Sequence, residues 1–188
     1  MNTIVYFIRH AEPDYSVHDD MLRPLTEKGI KDAMKLPKFF ATIKIDKVIS
    51  SPFKRAQASV NPIALDRGLE VELIDDFRER KVSDGHWIED FNAFAKSQWK
   101  DFDYCLPGGD CLNEVQERNV NALRNVINLN LGSNIIIGSH GTALSTIINY
   151  YDKSFGYDEF DKIKKVMPWI VKFTFEGDNG PLVEYFNL

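Results

Sequence analysis

The chain lacks most of what marks a secreted or membrane-bound protein. It has two cysteines in 188 residues, Cys105 and Cys111, spaced too far apart for a C-x-x-C motif and too few for a disulfide framework. Its apolar runs all stop well short of the ~20 residues that a membrane-spanning helix needs. The start has no basic stretch, apolar stretch and small-residue cleavage site of the kind that make a signal peptide. Positive charge is also scarce: 23 Lys and Arg against 28 Asp and Glu leave a net charge of −5, which argues against broad nucleic-acid or anionic-membrane binding. Internal repeats, linkers and low-complexity segments are missing too. A reduced, cytoplasmic setting is expected, with one domain over residues 1–188 that is long enough to bury a sizeable core.

What the chain does have is basic residues at the ends of strands. Ile4-Val5-Tyr6-Phe7-Ile8 is a short β-branched and aromatic run that reads as a buried central strand, and Arg9-His10 follows it at once. Open α/β sheets bind ligands at the carboxyl ends of their strands. A guanidinium beside an imidazole there points to an anion site with a nucleophile. Ile135-Ile136-Ile137-Gly138-Ser139-His140-Gly141 repeats the arrangement, with a histidine between two glycines and a buried helix predicted after it. The first N–H groups of that helix would point at whatever sits beside His140.

A third strand end, Lys47-Val48-Ile49, leads into Ser50-Ser51-Pro52-Phe53-Lys54-Arg55. Ser51 is a good N-cap and Pro52 suits a first helical position, so a helix is predicted to start there. Arginine is unfavourable near a helix N-terminus unless an anion is expected. Arg55 is therefore assigned to the site and Lys54 to the solvated surface.

These stretches, together with Ala11-Glu12, Pro24-Leu25-Thr26-Glu27-Lys28-Gly29, Phe77-Arg78-Glu79-Arg80 with Gly85-His86-Trp87, and Pro107-Gly108-Gly109-Asp110, resemble the histidine phosphatase superfamily, in its phosphoglycerate-mutase-like branch. The blocks are in order and cover residues 4 to about 145. The resemblance implies that His10 is the nucleophile, forming a phosphohistidine. It also implies that Arg9, Arg55 and His140 surround the phosphate and that Glu79 is the general acid. Phosphoryl transfer asks mainly for positioning and for charge stabilisation on the equatorial oxygens, which guanidinium forks supply. Covalent catalysis by a neutral imidazole splits hydrolysis into two easier steps. A carboxylic acid can protonate the leaving alkoxide and then activate water, and neither step needs a metal or cofactor.

The chain also departs from the family pattern. Ala11 stands where many relatives have glycine, and Pro13 follows the acidic residue, changes expected to bear on substrate choice. The acidic residue after Trp87 comes one place late, which makes Asp84, Glu89 and Asp90 rivals of Glu79 as the acid. Gly141 after the second histidine, in place of aspartate, argues against the acid phosphatase branch.

The expected fold is a three-layer α/β/α sandwich around a mainly parallel sheet, with one antiparallel edge strand or hairpin near the C-terminus. The hairpin comprises Val171–Phe175, a turn at Gly177-Asp178-Asn179-Gly180, and Leu182–Phe186. Thr26 is a predicted N-cap, Pro37 should end or kink the helix after it, and Pro62 poses the same problem further on. Val71–Ile74 is a predicted strand. Leu112–Leu129 is a predicted helix with Asp110 as its possible cap and Val115, Val120, Leu123 and Val126 or Ile127 inward. A lid-like insert around residues 80–110 carries Trp87, Phe91, Phe94, Trp99, Phe102 and Tyr104. Most of these are assigned to packing, with one or two over the site.

The expected activity is hydrolysis of a small phosphorylated metabolite, a phosphate monoester. The alternatives are a phosphoglycerate mutase, ranked lower because the chain is short for one, a phosphoprotein phosphatase, or a phospho-ligand binding module without turnover.

Overall fold

Alternation of residues along the strands builds the molecule. The computed structural model describes residues 2–84, 88–177 and 180–188. Strand β1 (Thr3–Arg9) sends Val5 and Phe7 to one face and Tyr6 and Ile8 to the other, as the period of two demands. β2 (Lys47–Ser50) and β4 (Asn134–Ser139) do the same, with Ile49, Ile135 and Ile137 on the first face and Val48 and Ile136 on the second. With β3 (Val71–Leu73), β5 (Trp169–Phe175) and β6 (Leu182–Asn187) they form one sheet in the order β3-β2-β4-β1-β5-β6.

The pairs β3–β2, β2–β4 and β4–β1 are parallel, while β5 runs antiparallel to both β1 and β6. The C-terminal hairpin is therefore present, but only β6 is an edge, because β5 pairs with β1 along its whole length. The turn residues Asp178 and Asn179 lie outside the described residues.

Helices cover both faces of the sheet. One apolar cluster packs Tyr6, Ile8 and Val48 against Val60 and Ile63 of α3 (Lys54–Arg67) and Leu36 of α2 (Leu36–Phe39). The other packs Val5, Phe7 and Ile137 against Leu123 of α5 (Leu112–Leu129) and Leu144 of α6 (Gly141–Tyr151), with Trp99 of α4 (Phe91–Lys100) and Phe160 of α7 (Tyr157–Ile163) at its margin. Truncating a fully buried ring such as Phe7 costs about 3–5 kcal/mol in such a core.

Local signals fix most helix ends, with instructive exceptions. Thr26 caps α1 (Glu27–Ala33) by accepting from the Gly29 N–H at 2.9 Å. The break before Pro37 comes three residues sooner than predicted, and Pro37 sits in the first turn of α2, where its missing N–H costs least. Helix α3 runs straight through Pro62, giving up the bond to the Ala58 carbonyl. It also begins at Lys54 rather than at Pro52, with Phe53 at the N-cap and the Ser51 hydroxyl accepting the Phe53 N–H at 3.2 Å just ahead of it.

Cys111, not Asp110, caps α5. Its sulfur accepts from the Glu114 N–H at 3.4 Å, and Glu114 accepts from the Cys111 N–H at 3.0 Å. Val115, Val120, Leu123 and Val126 of that helix are buried as expected. Both cysteines are free thiols. Among the described residues no helix is long and apolar enough to cross a membrane.

Candidate active site

Parallel register brings the three basic strand ends together. Arg9 lies opposite Ser139, and Ser50 lies opposite Gly138. The ladder continues one step into the loops, with His10 N–H donating to the Ser139 carbonyl at 3.0 Å and Ser51 N–H to the Gly138 carbonyl at 2.9 Å. His10, Ser51 and His140 thus leave the sheet side by side. Gly138 allows the helix to approach here, since a Cβ would meet the Ser50 hydroxyl at 2.8 Å and the Ala56 carbonyl at 3.1 Å.

His10 is held by its neighbour's backbone. Nδ1 lies 2.8 Å from the Ala11 carbonyl oxygen, an acceptor, so Nδ1 carries the proton and Nε2 keeps its lone pair. Burial, reinforced by the Arg55 and Arg9 charges, holds the imidazole well below the ordinary value of 6.5, and the ring is neutral near neutral pH. The loop after it is pinned to α3, because Ala11 N–H donates to the Ser59 hydroxyl at 2.9 Å and Ser59 donates to the Arg55 carbonyl at 2.8 Å.

His140 lies 5.4 Å from His10, ring centre to ring centre, and 5.0 Å from Phe53. Its Nε2 is 2.7 Å from the Ser51 hydroxyl, which also accepts the Phe53 N–H at 3.2 Å. The Ser51 hydroxyl still has its own proton and can donate it to Nε2, the tautomer that puts the ring proton on Nδ1, a buried atom with no partner among the described residues. Burial, with Arg55 and His10 nearby, holds His140 well below 6.5 too.

The arginines are fixed differently. Arg9 is gripped by backbone carbonyls at the C-terminal end of α7: NH1 donates to Ile163 at 2.6 Å and NH2 to Lys164 at 2.9 Å, while its buried Nε has no partner among the described residues. Gly141 makes room for it, since a Cβ there would sit 3.2 Å from the guanidinium. Arg55, second residue of α3, stacks over Phe53 at 4.9 Å and pairs with Asp20 Oδ1 at 3.2 Å. The anion that an arginine at this helix position calls for is supplied by the chain itself. Burial lowers the pKa of both arginines.

Glu79 occupies the N-terminus of α6. Its Oε2 accepts the Thr142 N–H and its Oε1 the Ala143 N–H, each at 3.0 Å, and Oε1 also accepts the Arg80 N–H at 2.9 Å. The helix N–H groups expected to face the ligand are thus engaged by this carboxylate. Arg118 of α5, which sequence reasoning did not single out, holds the Glu79 loop by donating to the carbonyls of Arg78 at 2.8 Å and Glu79 at 3.3 Å. It is fixed in turn by Asp110 at 2.9 Å.

Arg9, His10, Arg55 and Glu79 open onto one cavity of about 780 Å³, whereas His140 is fully buried behind the wall. Seven lysine and arginine side chains line this cavity against two carboxylates, Asp20 and Glu79. A smaller cavity of about 430 Å³, beside Trp169 and Tyr185, holds none of the predicted site residues. The arrangement joins an unprotonated imidazole nitrogen, two guanidinium groups and one carboxylate around a space that admits a small anion.

Over residues 5–188 the sequence matches the histidine phosphatase superfamily (branch 1). The chain belongs to that superfamily. Among its members, the Cronobacter sakazakii protein named "Probable phosphoglycerate mutase GpmB" is 27% identical over 156 residues, covering 77% of this chain and 73% of that protein. The structure of an Entamoeba histolytica phosphoserine phosphatase mutant with phosphoserine superposes with a TM-score of 0.77 at 23% identity, covering 98% of this chain and 96% of that one. A mycobacterial glucosyl-3-phosphoglycerate phosphatase superposes with a TM-score of 0.77 at 15% identity, covering 100% of this chain and 98% of that one. The likeness is that of the shared fold.

The three rival acids of this superfamily member lie elsewhere. Asp84 is ion-paired with Lys81 and is exposed, Asp90 caps α4 through the Ala93 N–H at 2.9 Å, and Glu89 is exposed off the cavity wall. Gly85, His86 and Trp87, the block that made them rivals, lie outside the described residues. Of the described aromatics in the insert, Phe94 and Trp99 are buried, while Phe91 stays 42% exposed and lines the cavity and Tyr104 is exposed away from it. Arg80 sits between them, 5.1 Å from Phe91 and 5.0 Å from Phe94. It is bonded to Gln98, with burial lowering its pKa to about 10.

Proposed function

We propose that this histidine phosphatase superfamily member hydrolyses a small phosphate monoester through a phosphohistidine on His10. The observation that carries the reading is the state of His10, whose Nδ1 faces the Ala11 carbonyl, leaving Nε2 unprotonated beside Arg9 and Arg55. In the first step Nε2 bonds to phosphorus, the ester P–O bond breaks, and Glu79, having taken up a proton from solvent as the phosphate dianion binds beside it, gives that proton to the leaving alkoxide. In the second, water attacks phosphorus, Glu79 takes back a proton, and the N–P bond breaks to release inorganic phosphate and neutral His10. Arg9 and Arg55 line the cavity and are the donors at hand for the equatorial oxygens, and in this reading His140, buried just behind the wall, joins them through Nδ1 once the wall gives way to the phosphate. The steps use no metal.

Residues 1–188 act as one domain in this reading, cytoplasmic in setting, and the 80–110 segment serves as a lid through Phe91 and Ile88. Phosphatase names among proteins of the same fold support hydrolysis, and the 27% identical relative supports mutase action as a second reading. Two assays separate them. A panel of metabolite phosphates should give inorganic phosphate, undiminished by a strong chelator. With 3-phosphoglycerate, isomerisation that depends on 2,3-bisphosphoglycerate and outpaces phosphate release would establish the mutase instead.

A further inference from the structure

We infer that Asp20 is a specificity-determining residue of the phosphate clamp: a built-in carboxylate that pairs with Arg55 and competes with inorganic phosphate for it. The inference rests on the hydrolase reading, in which Arg55 binds the phosphoryl group. One oxygen, Asp20 Oδ1, lies 3.2 Å from Arg55 NH1 and 2.8 Å from Arg23 NH1, and the Asp20 backbone carbonyl accepts from the same Arg55 nitrogen. Asp20 therefore holds Arg55 twice and bridges it to a second arginine on its own loop. All three side chains line the catalytic cavity.

The two ends of this ion pair are unequally buried. The Arg55 side chain is 4% exposed and that of Asp20 is 46% exposed. A buried guanidinium without an anion carries a heavy desolvation penalty, whereas a half-exposed carboxylate can turn to water cheaply. Asp20 also keeps Arg23, itself anchored to the Val17 carbonyl at 2.8 Å, when it lets go of Arg55. Arg55 is thus satisfied in either state, and Asp20 is the partner that yields.

Two consequences follow for the reaction. A phosphoryl group must displace a resident carboxylate, so a dianion displaces it more readily than a singly charged group. After hydrolysis the same carboxylate returns and helps expel inorganic phosphate, which has lost the contacts of the departed alcohol. Asp20 weakens the product complex at the cost of some substrate affinity.

The test compares the full-length protein with Asp20→Asn, which keeps size and removes charge, and Asp20→Glu, which keeps charge. Inorganic phosphate binding is measured directly by calorimetry, and as inhibition of p-nitrophenyl phosphate hydrolysis, with thermal melting to verify folding. The expected result is phosphate binding about three- to tenfold tighter in Asp20→Asn, the scale of one partly exposed ion pair. KM should fall in parallel, kcat should not rise, and Asp20→Glu should stay within about twofold of the parent. Unchanged or weaker phosphate binding in folded Asp20→Asn would overturn the inference while leaving hydrolysis intact. Equal tightening in Asp20→Glu would also overturn it, since geometry rather than charge would then set affinity. If the parent neither binds phosphate nor hydrolyses esters, the hydrolase reading fails first and the inference with it.

Discussion

His10 and His140 stand at matching ends of adjacent parallel strands, both buried, both neutral, 5.4 Å apart. They differ in which nitrogen is used up. At His10 a carbonyl takes the Nδ1 proton and leaves Nε2 bare. At His140 a hydroxyl faces Nε2, and Nδ1 has no partner among the described residues. One partner atom, the Ala11 carbonyl or the Ser51 hydroxyl, turns the same side chain into an acceptor or a donor. In the proposed reaction, two strand ends alike in sequence take opposite jobs, nucleophilic attack and stabilisation of the group attacked.

Removing each ring in turn separates the two histidines most strongly. His10→Ala should lower hydrolysis by 10⁴-fold or more, on the order expected for loss of a covalent nucleophile, and abolish acid-labile phosphate labelling. His140→Ala should slow turnover but leave labelling detectable. Labelling that survives His10→Ala and vanishes in His140→Ala would reverse the assignment.

Next in size is Glu79→Gln, which keeps the shape of the side chain but cannot relay a proton. A loss of about 10²–10⁴-fold is expected with alkyl phosphates, and a much smaller loss of label formation with p-nitrophenyl phosphate, whose leaving group needs no proton. Equal losses on both substrates would make Glu79 a structural ligand of the α6 N-terminus only, the role its bonds to Thr142 and Ala143 already give it.

The shared burial of the two rings sets a pH dependence. Each folded-state pKa lies below the ordinary 6.5, so between those values the unfolded chain binds protons that the folded chain refuses. Stability is then fully present above about pH 6.5 and is lost as pH falls towards the folded values, by about 1.4 kcal/mol per pH unit for each histidine. Denaturant melts from pH 7.5 to 5 should show this slope, and it should lessen in His140→Gln. A flat profile would mean that the rings protonate as freely in the folded protein as in water.

The parts of this design legible in the sequence were those with local causes. Short β-branched runs gave β1, β2 and β4, and the basic residues just past them could be assigned to one sheet edge because parallel strands share a polarity. Thr26 was legible as a cap for the same reason. What escaped depends on partners brought from afar. Ser51 was expected to cap α3, but the helix starts at Lys54, and the Ser51 hydroxyl meets both the Phe53 N–H and His140, 89 positions away. Asp110 was expected to cap α5, but Arg118 and the Lys81 N–H take its carboxylate, leaving the cap to a thiol. Asp20 and Arg23 sit on a loop without periodicity, where only the folded chain reveals that they meet Arg55.

The smallest expected effect tests the difference between the histidines most directly. Ser51→Ala removes the hydroxyl that faces His140 Nε2 but touches neither His10 nor the cavity wall. His140 would then be free to carry its proton on either nitrogen, and the donor at Nδ1 would be present only part of the time. A net hydrogen bond of about 0.5–1.5 kcal/mol corresponds to a loss of roughly two- to tenfold in kcat, with KM for the alcohol portion unchanged. Ser51→Thr, which keeps the hydroxyl, should recover most of the rate. Nitrogen chemical shifts of the two rings provide the readout that a packing defect would not imitate: His140 should move towards a mixed tautomer while His10, fixed by the Ala11 carbonyl, stays protonated at Nδ1.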